Sequence, residues 1–415
     1  MDIFQLKALA WAQQFETLCY LDANHYPQHS WQFDWVLAAG ASRLLAIQAG
    51  SAFERLKEFR ASYPGWLFGY FAYDLKNEVE RLNSQHTDHI GLLDLLFFQP
   101  ECLLVCSKGK VEVLAGDEKL LAEIEQHEVP LLETAKITIK TRFNKEEYLK
   151  AVKSLQNHIV EGDIYEANLC QEFYAQQVSI QPLAVFNLLN DKNKAPFSGF
   201  FKHQERYVLC SSPERFLAKK GQQLLSQPIK GTIRKGKDPV ENESLKQQLY
   251  HDIKERAENV MIVDLVRNDL AKSCLPGTVH VDELFGIYSF EQVHHMISTI
   301  SGTLRPDCDP IDAIKNTFPM GSMTGAPKIS AMRLIESHEL SKRGVYSGAL
   351  GYFSPEGDFD FNVVIRSILY NAASKYLSFQ AGGAITYDAN PEKEYEECLL
   401  KAKAMMEVLG GVKEQ

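Results

Sequence analysis

Short stretches in which apolar and polar residues alternate recur along most of this sequence, and a period of two predicts β-strands. The predicted strands lie at residues 44–47, 66–73, 103–106, 111–114, 135–141, 162–176, 199–217 (two strands), 222–225, 279–302, 346–354, 359–370 and 376–382. Other segments repeat their apolar residues every three to four positions, as amphipathic helices do. These predicted helices cover residues 145–161, 182–189, 245–270 and 390–410. The pattern indicates a strand-rich protein of mixed class.

Turn-forming residues suggest how the chain is divided. A polar, proline-containing stretch at residues 128–131 is the strongest candidate boundary, and it separates residues 1–135 from residues 136–415. Before it, the segment GYFAYDL at residues 69–75 is typical of a buried strand that runs into a turn. After it, Gly162 is a suitable end for the helix predicted at 145–161.

Composition restricts the class of function. The chain has 415 residues, of which 45% are hydrophobic and 24% are charged, and its net charge is −10. This acidity argues against nucleic acid as the main partner, because phosphate binding needs a basic face. An anionic substrate would need a local cation or aimed backbone N–H groups.

The cysteines and the hydropathy suggest a location. Eight cysteines occur without a CxxC pair, which predicts neither a zinc site nor a disulfide framework and favours a reducing cytoplasm. The first residues lack a signal-peptide pattern, and no apolar run reaches the length of about 18 residues that a membrane span needs. We therefore expect a cytoplasmic protein with no membrane partner.

The stretch PIKGTIRKG at residues 228–236 places Lys230 between an isoleucine and a Gly-Thr pair. An ammonium held away from water by apolar neighbours must be paired or neutral. A free lysine has a pKa of about 10.4, so less than roughly 0.1% is neutral at pH 7, and a nucleophilic lysine needs a lowered pKa. Burial or the nearby cations Arg234 and Lys235 could lower it. The alternative is a turn lysine that closes a hairpin.

Two pairs of glutamates occur at helical spacing. Glu255 and Glu258 project from one face of the largely apolar helix predicted at 245–270. Glu394 and Glu397 repeat this spacing in the last helix, and Lys401 shares their face. Carboxylates on a buried helix repel unless a cation lies between them, and two facing pairs would suit Mg²⁺. For the first pair, its basic neighbours also allow a salt-bridged surface patch.

Three further features are ambiguous from sequence alone. Glu214 follows a proline at a strand end, where an exposed turn carboxylate is the more common interpretation. In the predicted strand 279–302, only one of the adjacent His294 and His295 can face inward. The segment FPMGSMTGAPKISAM at 318–332 has the wrong glycine spacing for a Walker motif, but its turn can still present N–H groups to a carboxylate.

Five motifs occur in the order found in chorismate-utilising enzymes: PIKGT at 228–232, KERAENVMIVDLVRNDL at 254–270, GSMTGAPK at 321–328, YSGALGYF at 346–353 and AGGAITYDANPEKEYEE at 381–397. The chain resembles this family densely over its C-terminal two thirds and weakly, through GYFAYD, before that. The resemblance implies an α+β fold, with two large, mostly antiparallel β-sheets packed face to face and helices outside. It also implies a region 1–135 like that of anthranilate synthase component I and a chorismate-binding catalytic region 136–415.

The resemblance is closest to members that form 4-amino-4-deoxychorismate, since relatives acting at C2 usually carry alanine at position 230. It implies three catalytic residues, Lys230, Glu214 and Thr232. The Lys230 amine would add to C2 of chorismate as the C4 hydroxyl leaves, and ammonia would then add at C4 and expel the lysine. Glu214 would serve as general acid and base.

The resemblance also implies a ligand set and a substrate set. Glu258 and Glu397 match Mg²⁺ ligands, and Glu255 and Glu394 would complete the set directly or through water. The positions that match substrate contacts are His295, Ser322, Tyr346, Arg366, Gly382, Gly383, Ala384, Ile385 and Lys401. Among them Arg366 is expected to hold a carboxylate.

The sequence departs from the family pattern at several positions. Relatives commonly read YQ.NLTQRF where this chain has Glu166 and Glu172, and we expect these changes to alter local contacts but not the chemistry. Ala384 replaces a common glycine, which requires a negative φ at that position.

The resemblance implies a partner as well. We find no glutaminase motif with a cysteine nucleophile in the 415 residues, so ammonia would come from a separate glutamine amidotransferase subunit, with free ammonia as a substitute. The predicted function is Mg²⁺-dependent amination of chorismate, in para-aminobenzoate and folate biosynthesis. The alternatives are an anthranilate or isochorismate synthase acting at C2, a lysine that forms a Schiff base, and a non-catalytic chorismate-binding subunit.

Overall fold

The computed structural model describes residues 1–26, 32–117, 119–131 and 136–413, with side chains as far as residue 411. The α-helices in these residues are α1 (Ile3–Ala12), α2 (Ala52–Ser62), α3 (Lys76–Val79), α4 (Leu120–Gln126), α5 (Lys145–Glu161), α6 (Pro182–Asn193), α7 (Pro239–His251), α8 (Ile253–Ala271), α9 (Pro310–Thr317), α10 (Lys328–His338) and α11 (Pro391–Val408). Short 3₁₀ helices cover Tyr73–Leu75 and Gly321–Met323.

The strands are β1 (Thr17–Asp22), β2 (Trp35–Ile47), β3 (Leu67–Phe71), β4 (Leu95–Ser107), β5 (Lys110–Ala115), β6 (Thr138–Thr141), β7 (Glu166–Gln176), β8 (Phe197–His203), β9 (Arg206–Ser212), β10 (Arg215–Lys220), β11 (Gln223–Gln227), β12 (Ile229–Arg234), β13 (His280–Ser289), β14 (Val293–Thr303), β15 (Gly325–Ala326), β16 (Ala349–Phe353), β17 (Phe359–Asn362), β18 (Ser367–Asn371), β19 (Tyr376–Ile385) and β20 (Val412–Lys413).

The strands form a sheet that folds back on itself as two arms. In the first arm the order is β2, β1, β8, β9, β18, β19, β7 and β6. In the second arm it is β4, β3, β16, β17, β10, β11, β14 and β13, with β12 also paired to β14. Neighbouring strands in both arms are antiparallel, whereas the short β20 runs parallel to β6.

Two long strands connect the arms. β2 and β4 pair from Trp35 opposite Cys106 to Ile47 opposite Leu95, and the register shifts between Ala41 and Arg43. A bulge of this kind bends a strand and increases its twist. Gly40, beside the shift, has a φ of 71°, which a glycine adopts without steric cost. The arms therefore diverge from this bend.

The arms pack face to face. Tyr70 of β3 lies against Phe201 of β8 with ring centroids 5.2 Å apart, so the inner faces of the two arms are in contact. Period-two alternation sends the next residue of each strand outward. Phe71 stacks on Phe53 of α2 at 5.8 Å, and Phe200 packs against Phe186 of α6 at 5.4 Å. Helices thus cover both outer faces, which confirms the predicted four-layer α+β fold.

The helix signals in the sequence were mostly reliable. Asn144 caps α5 with a reciprocal capping box, and Gly162 ends the helix at a φ of 87°. Asn390 caps α11, with Pro391 in its first turn. No helix in the described ranges is long and apolar enough to cross a membrane.

Three predicted elements were wrong because each is interrupted, and one of them, the strand expected at 279–302, is the pair of strands β13 and β14. The helix expected at 245–270 is two helices, α7 and α8, because Asp252 adopts an extended conformation and caps α8 by accepting from the Glu255 N–H. The strand expected at 359–370 is split into β17 and β18, and Arg366 between them has a φ of 53°. The boundary at 135 falls outside the described residues, and the division into 1–135 and 136–415 stays a prediction.

Candidate active site

Lys230 lies in β12 at the far end of the second arm, so the hairpin-turn alternative is wrong. The pairing of β12 with β14 shifts between Ile229 and Thr232, and Gly231 has a φ of 91° at this irregularity. Only 10% of the Lys230 side chain is exposed. Its Nζ reaches the first arm and donates to Oε1 of Glu166 in β7 at 2.6 Å. The lysine therefore connects the two arms.

The electrostatics of Lys230 differ from those predicted. Burial acts to lower its pKa, but Glu166, Glu258 and Glu214 together outweigh burial, so the pKa is raised. The expected cationic neighbour Arg234 does not reach the amine, because it is exposed and pairs with Glu241. The lowered pKa that a nucleophilic lysine needs is therefore not present in the resting protein.

Glu214 is buried, so it is not an exposed turn carboxylate. It follows β9, where its N–H donates to the Ser212 hydroxyl at 3.2 Å and its carbonyl accepts from the Val363 N–H at 3.0 Å. Burial raises its pKa to about 7, although the Ser322 hydroxyl, the Ile229 backbone and Lys230 all act to lower it. A carboxyl group with this pKa holds and releases a proton near neutrality, as a general acid must.

The two glutamate pairs face each other, one from α8 and one from α11. Lys254 lies between them, with its Nζ 3.7 Å from Oε1 of Glu258 and 3.6 Å from Oε1 of Glu394. Glu258 is 9% exposed and Glu255 is partly buried, so the first pair is not an exposed surface patch, although Lys254 does pair with Glu258 as that alternative required. Gly383 of β19 leaves room for the second pair, because a Cβ there would lie 3.2 Å from Oε2 of Glu394.

Nearby cations do not offset the effect of burial on three of these four glutamates. Burial and the neighbouring Glu258 raise the pKa of Glu255 to about 7, and burial also raises the pKa of Glu258 and of Glu394. Glu397 differs, because Lys401 at 2.7 Å lowers its pKa. Oε1 of Glu258 is buried without a hydrogen-bond partner among the described residues. Carboxylate oxygens of this kind are the ligands that a divalent cation such as Mg²⁺ prefers, although no three of these glutamates have oxygens within 4.8 Å of one another in this structure.

Several of the residues predicted to contact the substrate interact with one another. The Thr232 hydroxyl and His295 Nδ1 are 2.8 Å apart. Burial, followed by Arg366 and Lys401, lowers the pKa of His295 to about 3, so its ring is neutral. His294 faces away and bonds to Ser289 instead. A neutral His295 agrees with a hydrogen-bonding role rather than one in proton transfer.

Arg366 is the cation best placed to bind an anion. It lies at the chain interruption before β18, where its left-handed backbone conformation is uncommon for a non-glycine residue. Its guanidinium donates to the Lys401 carbonyl at 3.0 Å, and burial lowers its pKa. Across the residues that the structure describes, no carboxylate lies within ion-pair distance of it. The Tyr346 hydroxyl, which is also buried, lies 3.5 Å from Cys170 Sγ.

The backbone at Gly382 to Ile385 belongs to β19 and pairs with β7. The Gly382 carbonyl accepts a hydrogen bond from Lys401 Nζ at 2.9 Å. Ala384, the departure from glycine, lies opposite Asn168 and keeps a negative φ, as required.

The glycine-rich motif at 321–328 pairs with β7, the strand that carries Glu166. Its Gly325 and Ala326 form β15, in which Ala326 pairs with Glu166. The φ of Gly325 is 152°, and a Cβ there would lie 2.1 Å from the Glu166 carbonyl oxygen. Lys328 donates to the carbonyls of Thr317 and Pro319 at 3.1 and 2.8 Å and therefore has a structural role. The rejection of a Walker motif agrees with these contacts.

These groups meet where β12 approaches β7 and β19, and comparison with known proteins identifies the family. Residues 16–407 match the model of the chorismate binding enzyme family. The chain belongs to this family.

Relatives within the family carry different names. The chain is 44% identical over 270 residues to the probable chloroplastic aminodeoxychorismate synthase of Oryza sativa subsp. japonica. The aligned region covers 64% of this chain but only 30% of the rice protein. It is 32% identical to aminodeoxychorismate synthase component 1 of Bacillus subtilis, over 84% of this chain and 77% of that one. A crystal structure of anthranilate synthase component I from Streptococcus pneumoniae has a TM-score of 0.79 at 28% identity, covering 89% of this chain and 91% of that one.

Two contacts of the site did not follow from the sequence. Glu166 was expected to be only a local departure from the family pattern, whereas it bonds to Lys230. Lys254 was considered only as a salt-bridge partner of the first glutamate pair, whereas it links both pairs. The signal for Glu166 was a carboxylate in an otherwise buried strand, which requires a cation nearby. The identity of that cation depends on the meeting of the two arms, which local sequence does not encode.

Proposed function

We propose that this chain aminates chorismate at C4 to give 4-amino-4-deoxychorismate, a precursor of para-aminobenzoate and folate. One observation carries the proposal: a buried lysine amine, Lys230, lies in the same site as Glu214, a buried carboxyl group with a pKa of about 7. Amination at C4 by a covalent route needs both a nucleophile and an acid for the leaving hydroxyl. The names of the rice and Bacillus subtilis relatives support the same activity.

The proposed chemistry has two substitutions that conserve atoms and electrons. The neutral Lys230 amine forms a bond to C2, the two ring double bonds shift, and the C4–O bond breaks. Glu214 gives its proton to the departing oxygen, which leaves as water. Ammonia then forms a bond to C4, the double bonds shift back, and the C2–N bond to Lys230 breaks. Glu214, now a carboxylate, accepts a proton from the incoming amine.

We infer that Glu258 and Glu397, with Glu255 and Glu394, hold Mg²⁺. When bound, the ion would neutralise carboxylate charge on both the protein and the substrate. Arg366 would bind a second substrate carboxylate, and the neutral His295, held by Thr232, would accept or donate a hydrogen bond to the ring substituents. These cations explain how a chain with a net charge of −10 would bind a dianion.

Ammonia would come from a separate glutamine amidotransferase subunit. The words "component 1" in the name of the Bacillus subtilis relative agree with a second subunit. Free ammonium salts should then replace that subunit in a test with the purified chain.

A second candidate is a synthase that acts at C2, because the similar structure from Streptococcus pneumoniae is named anthranilate synthase component I. This candidate would gain support if Lys230 pointed away from the site. Lys230 instead points at Glu166 and lies near enough to Glu214 to lower its pKa, which favours amination at C4.

The test is to incubate the purified chain with chorismate, Mg²⁺ and ammonium and to identify the product by liquid chromatography and mass spectrometry. We expect 4-amino-4-deoxychorismate, and anthranilate or isochorismate would contradict the proposal. Lys230→Ala should abolish the product, whereas Lys237→Ala, which removes an exposed lysine of the same segment, should retain it. Without ammonium, an adduct of chorismate on Lys230 should accumulate.

A further inference from the structure

The resting site contains a chemical problem, because its proposed nucleophile is protonated. Lys230 Nζ donates to Glu166 Oε1 at 2.6 Å, and its pKa is raised rather than lowered. An ammonium has no lone pair with which to attack C2. Some group in contact with Nζ must remove a proton before the first bond forms.

Four carboxyl groups interact electrostatically with this amine: three lie on β7, α8 and α11, and one lies between β9 and β10. Glu166 lies on β7, Glu214 precedes β10, Glu258 lies on α8 and Glu397 lies on α11. Glu258 and Glu397 belong to the proposed metal set, and Glu214 must keep its proton for the leaving hydroxyl. Glu166 is the one that hydrogen-bonds to Nζ.

Glu166 is also held as a proton acceptor should be. Its residue is 1% exposed, and its backbone is fixed by pairing with Ala326. Its second carboxylate oxygen, Oε2, is buried and has no hydrogen-bond partner among the described residues. Nothing else in the described part of the chain therefore competes for that oxygen.

We propose that Glu166 is a catalytic residue that takes a proton from Lys230 before the attack on C2 and returns it when the lysine leaves. This inference rests on the proposed function. In the first half, an N–H bond of Lys230 breaks and an O–H bond forms on Glu166, which leaves a neutral amine beside a neutral acid. In the second half, Lys230 leaves C2 as an amine and takes the proton back. No proton enters from water, and no oxidation or reduction occurs.

The proposal predicts a particular pH dependence for Glu166→Gln. In the wild type the proton moves within the pair, so the amount of free amine does not depend on bulk pH while the pair holds one proton. In the variant the proton must go to water, so the free amine increases about tenfold per pH unit until the pKa of Lys230 is reached. Dividing the variant rate by the wild-type rate removes the contribution of Glu214, which both proteins share.

Two measurements test this. Trace labelling with acetic anhydride, followed by peptide mass spectrometry, gives the pH midpoint of Lys230 without any substrate. Formation of the chorismate adduct without ammonia, followed by rapid quench from pH 6 to pH 9, gives the two rates. We expect the labelling midpoint to fall by at least one pH unit in Glu166→Gln. The rate ratio should rise about tenfold per pH unit below that midpoint.

Two control variants separate chemistry from structure. Glu166→Asp keeps a carboxylate and should keep the wild-type pH dependence, even if it is slower. Glu172→Gln changes the other acidic departure on β7, whose partners are Arg142 and Tyr376, and should leave the Lys230 midpoint unchanged. Thermal melting of each variant checks that it folds.

The proposal is overturned if the labelling midpoints of wild type and Glu166→Gln coincide, or if the rate ratio is flat from pH 6 up to the variant's midpoint. Failure of the proposed function looks different. In that case the wild type forms no adduct at any pH, while the labelling experiment still reports whether Glu166 controls the protonation of Lys230.

Discussion

Replacing Glu214 by glutamine should stabilise the protein while it abolishes proton donation. An ordinary glutamate with a pKa of 4.5 is protonated in roughly 0.3% of molecules at pH 7, whereas a pKa of about 7 makes that fraction about one half. The folded protein thus holds this proton more tightly than the unfolded chain does. Between pH 4.5 and pH 7 its stability must therefore fall as the pH rises.

The size of this effect follows from the same two values. Each pH unit between them costs about 1.4 kcal/mol, so the full penalty above pH 7 is roughly 3 kcal/mol. Glu214→Gln keeps the shape of the side chain but cannot ionise, so it does not carry this penalty. Relative to the wild type, the variant should gain roughly 2 to 3 kcal/mol of unfolding free energy between pH 5 and pH 8.

Urea unfolding at the two pH values, followed by tryptophan fluorescence, measures this difference. Glu205→Gln, which changes an exposed turn glutamate, should shift stability equally at both pH values. In the ammonia-dependent assay, Glu214→Gln should lose about 10² to 10⁴ in rate. An equal effect of Glu214→Gln on stability at pH 5 and pH 8 would refute the claim that Glu214 is a buried, half-protonated acid.

Three further variants test the supports of the site. Lys254→Met should strengthen Mg²⁺ binding by up to roughly fivefold in calorimetric titration, because a half-exposed ion pair worth about 0 to 1 kcal/mol no longer competes. Weaker binding would contradict this, and Lys237→Met is the control. Gly325→Ala should destabilise the fold by more than about 2 kcal/mol in urea unfolding. Gly277 also has a positive φ but has open space around it, so Gly277→Ala should cost only about 1 kcal/mol. Equal costs would argue against the close approach of β15 to β7. Lys328→Met should cost about 2 kcal/mol in the same assay, because it leaves the two carbonyls without their shared donor while Asp269 keeps its ion pair with Lys272, and a cost below about 1 kcal/mol would show that this lysine is dispensable.

The sequence was most informative where the signal was local. The ends of α5 and α11 follow from caps within three residues, and the two glutamate pairs follow from helical spacing. The interruption at Asp252 was missed because apolar periodicity continued across a residue that prefers to cap a helix. Contacts such as the one between Lys230 and Glu166 join residues 64 positions apart, and no period in the sequence reports them. That the two glutamate pairs face each other likewise depends on the tertiary fold.

The order of strands at the bend has a consequence for how the chain folds. β1, β2, β4 and β3 pair with one another early in the sequence, but the outer neighbours of this group, β8 and β16, lie far downstream, as Leu18 opposite Lys202 and Phe71 opposite Ala349 illustrate. Such distant pairings slow folding, and unpaired strand edges are sites of aggregation. The strands synthesised first, β1 to β4, therefore have two unpaired edges until β8 and β16 have been synthesised and can pair with them. A fragment that begins at residue 136 would have the opposite defect, since β8 and β16 would each lack the neighbour that joins the arms.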